Sequence, residues 1–149
     1  MKIWIDADAC PKPVKDIVFR AAERLGIETV LVANQFLRVP PSRHIRAVQV
    51  SGGFDVADDY IAEQAEAGDR AITADIPLAA TLVEKDVHVL SPRGQPYTRS
   101  NVRQQLAMRD FMDTMRGSGV PMQGGPPAYS ERDKQAFANA LDRLLHARR

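Results

Sequence analysis

Short apolar runs alternate with segments of helical periodicity, and this alternation constrains the fold of the chain more than any other feature. The apolar runs predict strands at residues 2–6, 27–33, 47–51, 70–74 and 87–90. Helices are predicted between them, at residues 14–25, 55–67 and 76–84. Such a strand–helix–strand order predicts an α/β fold with a mostly parallel central sheet flanked by helices on both faces.

The last third of the chain has a different character. A helix is predicted over residues 99–116, and the Gly- and Pro-rich segment 117–130 then predicts a mobile loop. Ser130 and Asp133 resemble a capping box that opens a final helix with an apolar stripe. We therefore expect an α/β domain over residues 1–116 and a helical C-terminal extension over 131–149 that packs on the same domain.

Length and composition limit the class of protein. With 149 residues the chain is expected to form one domain, and its one cysteine excludes an internal disulfide. No apolar stretch reaches the ~20 residues of a membrane helix, and an aspartate already stands at position 6. The sequence therefore predicts a cytoplasmic protein without a membrane partner.

Acidic residues follow several of the predicted strands. Asp6 and Asp8 come after the first strand, Asp75 follows the fourth, and Asp55 and Asp58 open the helix after the third. Because the carboxyl ends of parallel strands meet at one edge of a sheet, these carboxylates are expected to converge there. Their mutual repulsion would be offset by a cation, and an all-oxygen ligand set suits Mg²⁺ or Mn²⁺.

Each of these acids also has a structural interpretation. Asp55 and Asp75 could cap their helices, whereas Asp58 lies at the border between the buried and exposed faces of its helix. Asp6 is hardest to explain structurally, because a carboxylate at the end of a buried strand needs a partner. Cys10 is interpreted as a small buried residue, with a helix-activated nucleophile as the alternative.

Basic residues concentrate towards the C-terminus. Residues 93–149 contain ten lysines and arginines against five acids, whereas residues 1–92 contain ten against fourteen. On the predicted helix 99–116, four arginines fall within an arc of about 140° on one side: Arg99, Arg103, Arg109 and Arg116. This distribution suits a polyanion beside a cation site, and chance segregation of solvated charges is the alternative.

Four motifs in order, DADACP, GGFDVADDYI, ITADIPLA and SPRG, resemble the YaiI/YqxD family of uncharacterised bacterial proteins. The match runs over most of the chain. That family is grouped with PIN-like domains, whose better-known members are Mg²⁺- or Mn²⁺-dependent ribonucleases. The resemblance therefore implies a three-layer PIN-like domain. In PIN nucleases one acid ends the first strand, a second lies on a helix and a third belongs to a T-x-D pattern. Here Asp6, Asp58 or Asp55, and Asp75 occupy those positions.

The resemblance also implies a mechanism. Asp6, Asp58 and Asp75 would be the catalytic residues of a metal-dependent nuclease acting on RNA, and Asp8 and Asp55 would be further metal ligands. The RNA backbone would contact six arginines: Arg43, Arg93, Arg99, Arg103, Arg109 and Arg116. The sequence departs from the PIN nuclease pattern at two places. The helix acid is aspartate where PIN nucleases usually have glutamate, and the SPRG motif has Ser91 and Arg93 instead of a fourth acid.

Two other functions stay open. DADAC also resembles the D-x-D-x-[TV] motif of haloacid-dehalogenase-type phosphatases, in which Asp6 would be the phosphorylated nucleophile and Asp8 the acid. Alternatively, because the fourth acid is missing, the chain would be a PIN-like protein that binds a metal or RNA without cleaving it. The sequence does not choose between RNA, DNA and a small phosphorylated molecule as the substrate, or between a monomer and an oligomer.

Overall fold

A six-stranded sheet forms the centre of the molecule. The computed structural model describes residues 1–53, 56–117 and 128–146, without the side chains of Ala9 and of residues 109–117. The strands are β1 (Lys2–Asp6), β2 (Glu28–Ala33), β3 (Ile45–Gln49), β4 (Arg70–Ile72), β5 (His88–Leu90) and β6 (Pro96–Tyr97). Their order is β3-β2-β1-β4-β5-β6, with all pairings parallel except that of β5 with β6. The predicted α/β class with a mostly parallel sheet is confirmed.

Helices cover both faces of the sheet. They are α1 (Lys12–Leu25), α2 (Val56–Gln64), α3 (Ile76–Glu84), α4 (Arg99–Gly117) and α5 (Glu131–His146). Ile3 and Ile5 of β1 pack among residues of α1 and α5 on one face. Trp4, which points to the opposite face, packs with residues of α2, α3 and α4. The described residues thus form three layers, and no helix among them is long and apolar enough to cross a bilayer.

Several element boundaries differ from the sequence prediction. Strand β3 begins at Ile45, two residues before the predicted start, because Ile45 is buried and pairs with Thr29. Helix α2 ends at Gln64 instead of residue 67. The backbone N–H of Glu66 donates to Asp69 Oδ2 at 3.0 Å rather than to a helix carbonyl. Strand β6 was not predicted, because two residues are too short to show a period.

The strand order reverses beside β1. From β1 the chain moves outward to β2 and β3 on one side, and β4 then returns to the other side of β1. In open parallel sheets, ligands bind outside the carboxyl ends of the strands at such a switch point. The fold therefore marks the space beyond the ends of β1 and β4 as the place for a site.

Helix α5 is an integral part of the core. Its Phe137 is fully buried and contacts the cluster that β1 and α1 share. The turn after β5 docks against it: Gly94 has a φ of +87°, and a Cβ there would lie 2.7 Å from the carbonyl of Ala136. Ten residues of the predicted loop, 118–127, lie outside the described residues, as do residues 147–149 of the predicted extension.

Candidate functional site

Asp6 occupies the end of β1 at the switch point. It is only 5% exposed, and strand alternation places it on the same face as Trp4, under α2 and α3. Its Oδ2 accepts a hydrogen bond of 2.9 Å from Thr73 Oγ1. Burial raises the pKa of Asp6, the Thr73 bond opposes this rise, and the charges of Asp75 and Asp8 add to it. The structure thus brings Asp6, Asp8 and Asp75 into electrostatic contact.

A second buried acid shows what a purely structural carboxylate looks like in this fold. Asp69, 6% exposed, lies at the amino edge of the sheet, just before β4. Its two oxygens accept from three donors, namely the backbone N–H groups of Lys2 and Glu66 and the indole Nε1 of Trp4, each at 3.0 Å. Within the described part of the chain, Asp6 has one donor, the Thr73 hydroxyl. Asp6 is therefore about as buried as Asp69 but accepts from fewer donors among the described residues.

Asp75 caps α3 and is tied to Asp6 through Thr73. Its Oδ1 accepts from the backbone N–H of Leu78 at 2.9 Å, so the structural interpretation of this acid as a cap holds. Its own backbone N–H donates to Thr73 Oγ1 at 3.0 Å, and the same hydroxyl donates to Asp6. Thr73, which is 1% exposed, connects the two acids, and the T-x-D spacing is the sequence signal that points to it.

Asp8 lies on the solvent side of Asp6. It belongs to a single 3₁₀ turn, Ala7–Ala9, that follows β1 directly. Its Oδ2 accepts from the backbone N–H of Asn34 at 2.8 Å, which fastens the end of β1 to the chain that leaves β2. Asp8 is exposed. Asn34 was not predicted, because its contribution is a backbone group.

Asp58 lies in the first turn of α2, whose start follows the carboxyl end of β3. It is half-buried, and α2 packs on β1, β2 and α3. Asp58 is therefore on the same face and towards the same edge as Asp6. Asp55 lies outside the described residues.

The donor chemistry of this edge fits a hard divalent cation. Among the residues that the structure describes, no group of three His, Cys, Asp or Glu side chains is assembled closely enough to hold a metal. Mg²⁺, however, usually keeps several waters and takes only one or two carboxylates from a protein. Asp6, with Asp75 or Asp8 beside it, meets that smaller requirement.

The predicted arginines are divided between the two edges of the sheet. Arg93 follows β5 at the carboxyl edge, where its Nη1 pairs with Asp133 Oδ2 at 2.8 Å. Arg99 lies at the amino edge, beside Glu84 and Asp86 at the end of α3. Arg43 precedes β3 and is exposed at that same amino edge.

The other arginines lie on α4. Arg103 is exposed one turn after the start of the helix. Arg109 and Arg116 belong to α4, but their side chains lie outside the described part of the chain. The structure therefore does not gather the six predicted arginines at one surface, and their contact with RNA stays a prediction.

Cys10 follows the 3₁₀ turn and packs partly buried against the core cluster of α1 and α5. Burial raises the pKa of its thiol to about 12, with Lys15 lowering it and Asp6 raising it. A thiol with that pKa is protonated at neutral pH and is a poor nucleophile. This agrees with the interpretation of Cys10 as a small buried residue.

Comparisons with known proteins agree with the motifs. The family model described as "Uncharacterized BCR, YaiI/YqxD family" matches residues 4–147. A UPF0178 protein of Thioalkalivibrio sulfidiphilus is 60% identical over 148 residues, which are 99% of this chain and 100% of the relative. A UPF0178 protein of Dechloromonas aromatica is 58% identical over 145 residues, 97% of this chain and 96% of the relative. No solved structure matches the chain.

Proposed function

This chain belongs to the YaiI/YqxD family, and we propose that it is a metal-dependent phosphodiester hydrolase that acts on RNA, centred on Asp6. The observation that carries the proposal is the contrast between two buried acids. Asp69 is satisfied by three hydrogen-bond donors, whereas Asp6 receives one among the described residues. A buried carboxylate with few donors and two acids nearby is stabilised by a cation.

The side chains around Asp6 have separate roles in this proposal. Asp6 and Asp75 hold Mg²⁺ or Mn²⁺, with Asp8 and Asp58 contributing directly or through water. The Thr73 hydroxyl orients Asp6 by donating to its Oδ2. Asp8 holds the segment after β2 against the site through Asn34. When bound, the cation supplies positive charge for the scissile phosphate and lowers the pKa of its water.

The proposal is tested by comparing the wild type with Asp6→Asn in an RNA cleavage assay with Mn²⁺. The asparagine keeps the shape and can still accept from Thr73, so the variant removes the charge alone. We expect slow cleavage of single-stranded RNA by the wild type, inhibition by EDTA, and a rate at least about 100-fold lower in the variant.

The matched control is Asp16→Asn, which removes a half-buried acid of α1 that pairs with Lys12 at 3.0 Å. Prepared in the same way, this variant should cleave like the wild type, whereas a contaminating ribonuclease would give the same rate in all three preparations. Equal rates from Asp6→Asn and the wild type would contradict the proposal. Metal-dependent binding of RNA without cleavage would favour a binding protein instead, and trapping of Asp6 by beryllium fluoride would favour a phosphatase.

A further inference from the structure

Phe36 is an apolar side chain that the fold leaves in water. It is 78% exposed, more than any other large apolar side chain that the structure describes. It lies in the segment that leaves β2, three residues after the buried end of that strand at Ala33. A ring so far out of the core contributes little apolar burial to folding and is available to contact a ligand.

The neighbours of Phe36 hold it in that position. Leu37 and Val39 are partly buried against the core cluster of α1, whereas Phe36 and Arg38 are exposed. This alternation is typical of an extended segment, so Phe36 and Arg38 share its outer side. The Pro40–Pro41 pair that follows favours an extended backbone and limits its motion. The ring and the guanidinium are therefore presented together by a restrained segment.

This segment begins beside the candidate metal site. Asp6 pairs in register with Val32, and two residues further on the Asn34 N–H donates to Asp8 Oδ2 at 2.8 Å. Phe36 is two residues beyond Asn34, so the two Cα atoms are at most about 7 Å apart. A group bound on Phe36 would thus lie in the neighbourhood of Asp8.

We propose that Phe36 and Arg38 form a binding subsite for single-stranded RNA next to Asp8, in which the ring stacks on a base and the guanidinium contacts a phosphate. The subsite rests on the proposed function for its link to cleavage. An aromatic side chain beside an arginine is the usual means of binding a single strand, since an unpaired base offers its face. In a duplex the bases are stacked on one another, so this subsite selects unpaired RNA.

Phe36→Trp provides a direct reporter of stacking. The natural Trp4 is 2% exposed, so a tryptophan at position 36 would supply the solvent-sensitive fluorescence. We expect a single-stranded oligonucleotide to quench that fluorescence in EDTA, where metal-dependent cleavage cannot occur. An oligonucleotide of the same length with abasic sites should quench it much less, and a duplex should compete poorly.

Affinity measurements complete the test. In EDTA, Phe36→Ala should weaken binding of single-stranded RNA by about 5- to 100-fold, and Arg38→Ala should reduce the salt slope by about one unit. The control is Leu25→Ala, which trims another exposed apolar side chain at the far end of α1. Unchanged affinity in Phe36→Ala, or quenching equal for abasic and normal strands, would overturn the subsite.

A self-associating surface is the other outcome that the experiment can reveal. If Phe36→Ala leaves RNA binding intact but lowers the sedimentation coefficient of the protein, Phe36 contacts a second copy and the proposal is wrong. Because binding is measured without metal, loss of the subsite and loss of hydrolytic activity are distinguished. A protein that binds through Phe36 but does not cleave would contradict the proposed hydrolase while leaving the subsite in place.

Discussion

At the scale of one residue, the buried carboxylate of Asp6 lowers the free energy of unfolding of the metal-free protein. Its pKa in the folded chain is raised, by burial first and by Asp75 and Asp8 in addition. The folded state therefore holds a proton in a pH range where the unfolded chain has already lost it. In that range the free energy of unfolding falls as the pH rises, and above it the full cost of the buried charge remains.

Asp6→Asn should consequently stabilise the metal-free protein at neutral pH. Since asparagine does not titrate, the variant should have the higher denaturation midpoint at pH 7, and its advantage should shrink as the pH falls towards the ordinary aspartate value of 3.8. Urea denaturation in EDTA at several pH values measures this difference. A variant less stable than the wild type at pH 7 would mean that the Asp6 charge contributes stability, contrary to the expected sign.

At the scale of the element, Asp75 has two roles that can be separated. Its carboxylate caps α3 by accepting from Leu78, and its charge adds to the repulsion at Asp6. Asparagine caps helices about as well as aspartate, whereas alanine does not cap them. The two substitutions therefore distinguish the cap from the charge.

Asp75→Ala should be less stable than Asp75→Asn by about 1 kcal/mol, the usual value of an N-cap. Millimolar Mg²⁺ should raise the melting temperature of the wild type, because a ligand at 100 times its Kd adds about 2.7 kcal/mol. Asp75→Asn should lose this response while keeping the cap. Thermal unfolding with and without Mg²⁺ checks both parts, and a full Mg²⁺ response in Asp75→Asn would remove Asp75 from the ligand set.

The attachment of α5 depends on the turn at Gly94. A Cβ there would meet the backbone of Ala136 at 2.7 Å, and the φ of +87° is itself unfavourable for alanine. Gly94→Ala should lower the free energy of unfolding by about 2 kcal/mol or more. Gly68→Ala is the matched control, since Gly68 has a φ of +92° with nothing within 4 Å of its Cβ position.

The difference between the two glycine variants isolates the steric contact with α5. Denaturation midpoints measure the total effect, and hydrogen exchange of the α5 amides locates it. Equal losses of stability in Gly94→Ala and Gly68→Ala would show that backbone strain, not the contact with α5, decides the result.

For the whole molecule, topology separates the charges into two groups. The acids that follow β1 and β4 meet at the carboxyl edge because parallel strands point the same way. Helix α3 then runs back to the amino edge, where Arg99 meets its last turn. Arg93 is the predicted arginine that follows a strand at the carboxyl edge, and the proposed subsite of Phe36 and Arg38 would add polyanion contacts near the acids.

Local patterns in the sequence determined the layers and the edge at which the acids lie. Periodicity and strand ends are properties of neighbouring residues, so α3 was predicted with both of its ends correct, at residues 76–84. The direction of parallel strands was enough to bring Asp6 and Asp75 to one edge. The family motifs, which are also read along the chain, led to the same acids.

Only the tertiary structure decided which groups touch. Some of these contacts join residues that are 26 to 67 positions apart: Asp8 with Asn34, Arg93 with Asp133, and Asp6 with Thr73. The contacts of Thr73 with Asp75 and of Asp8 with Asn34 also depend on a backbone N–H. Strand β6 and the early start of β3 likewise come from pairing with a neighbour strand. Such contacts depend on how the elements pack in space, which the order of side-chain types along the chain does not specify.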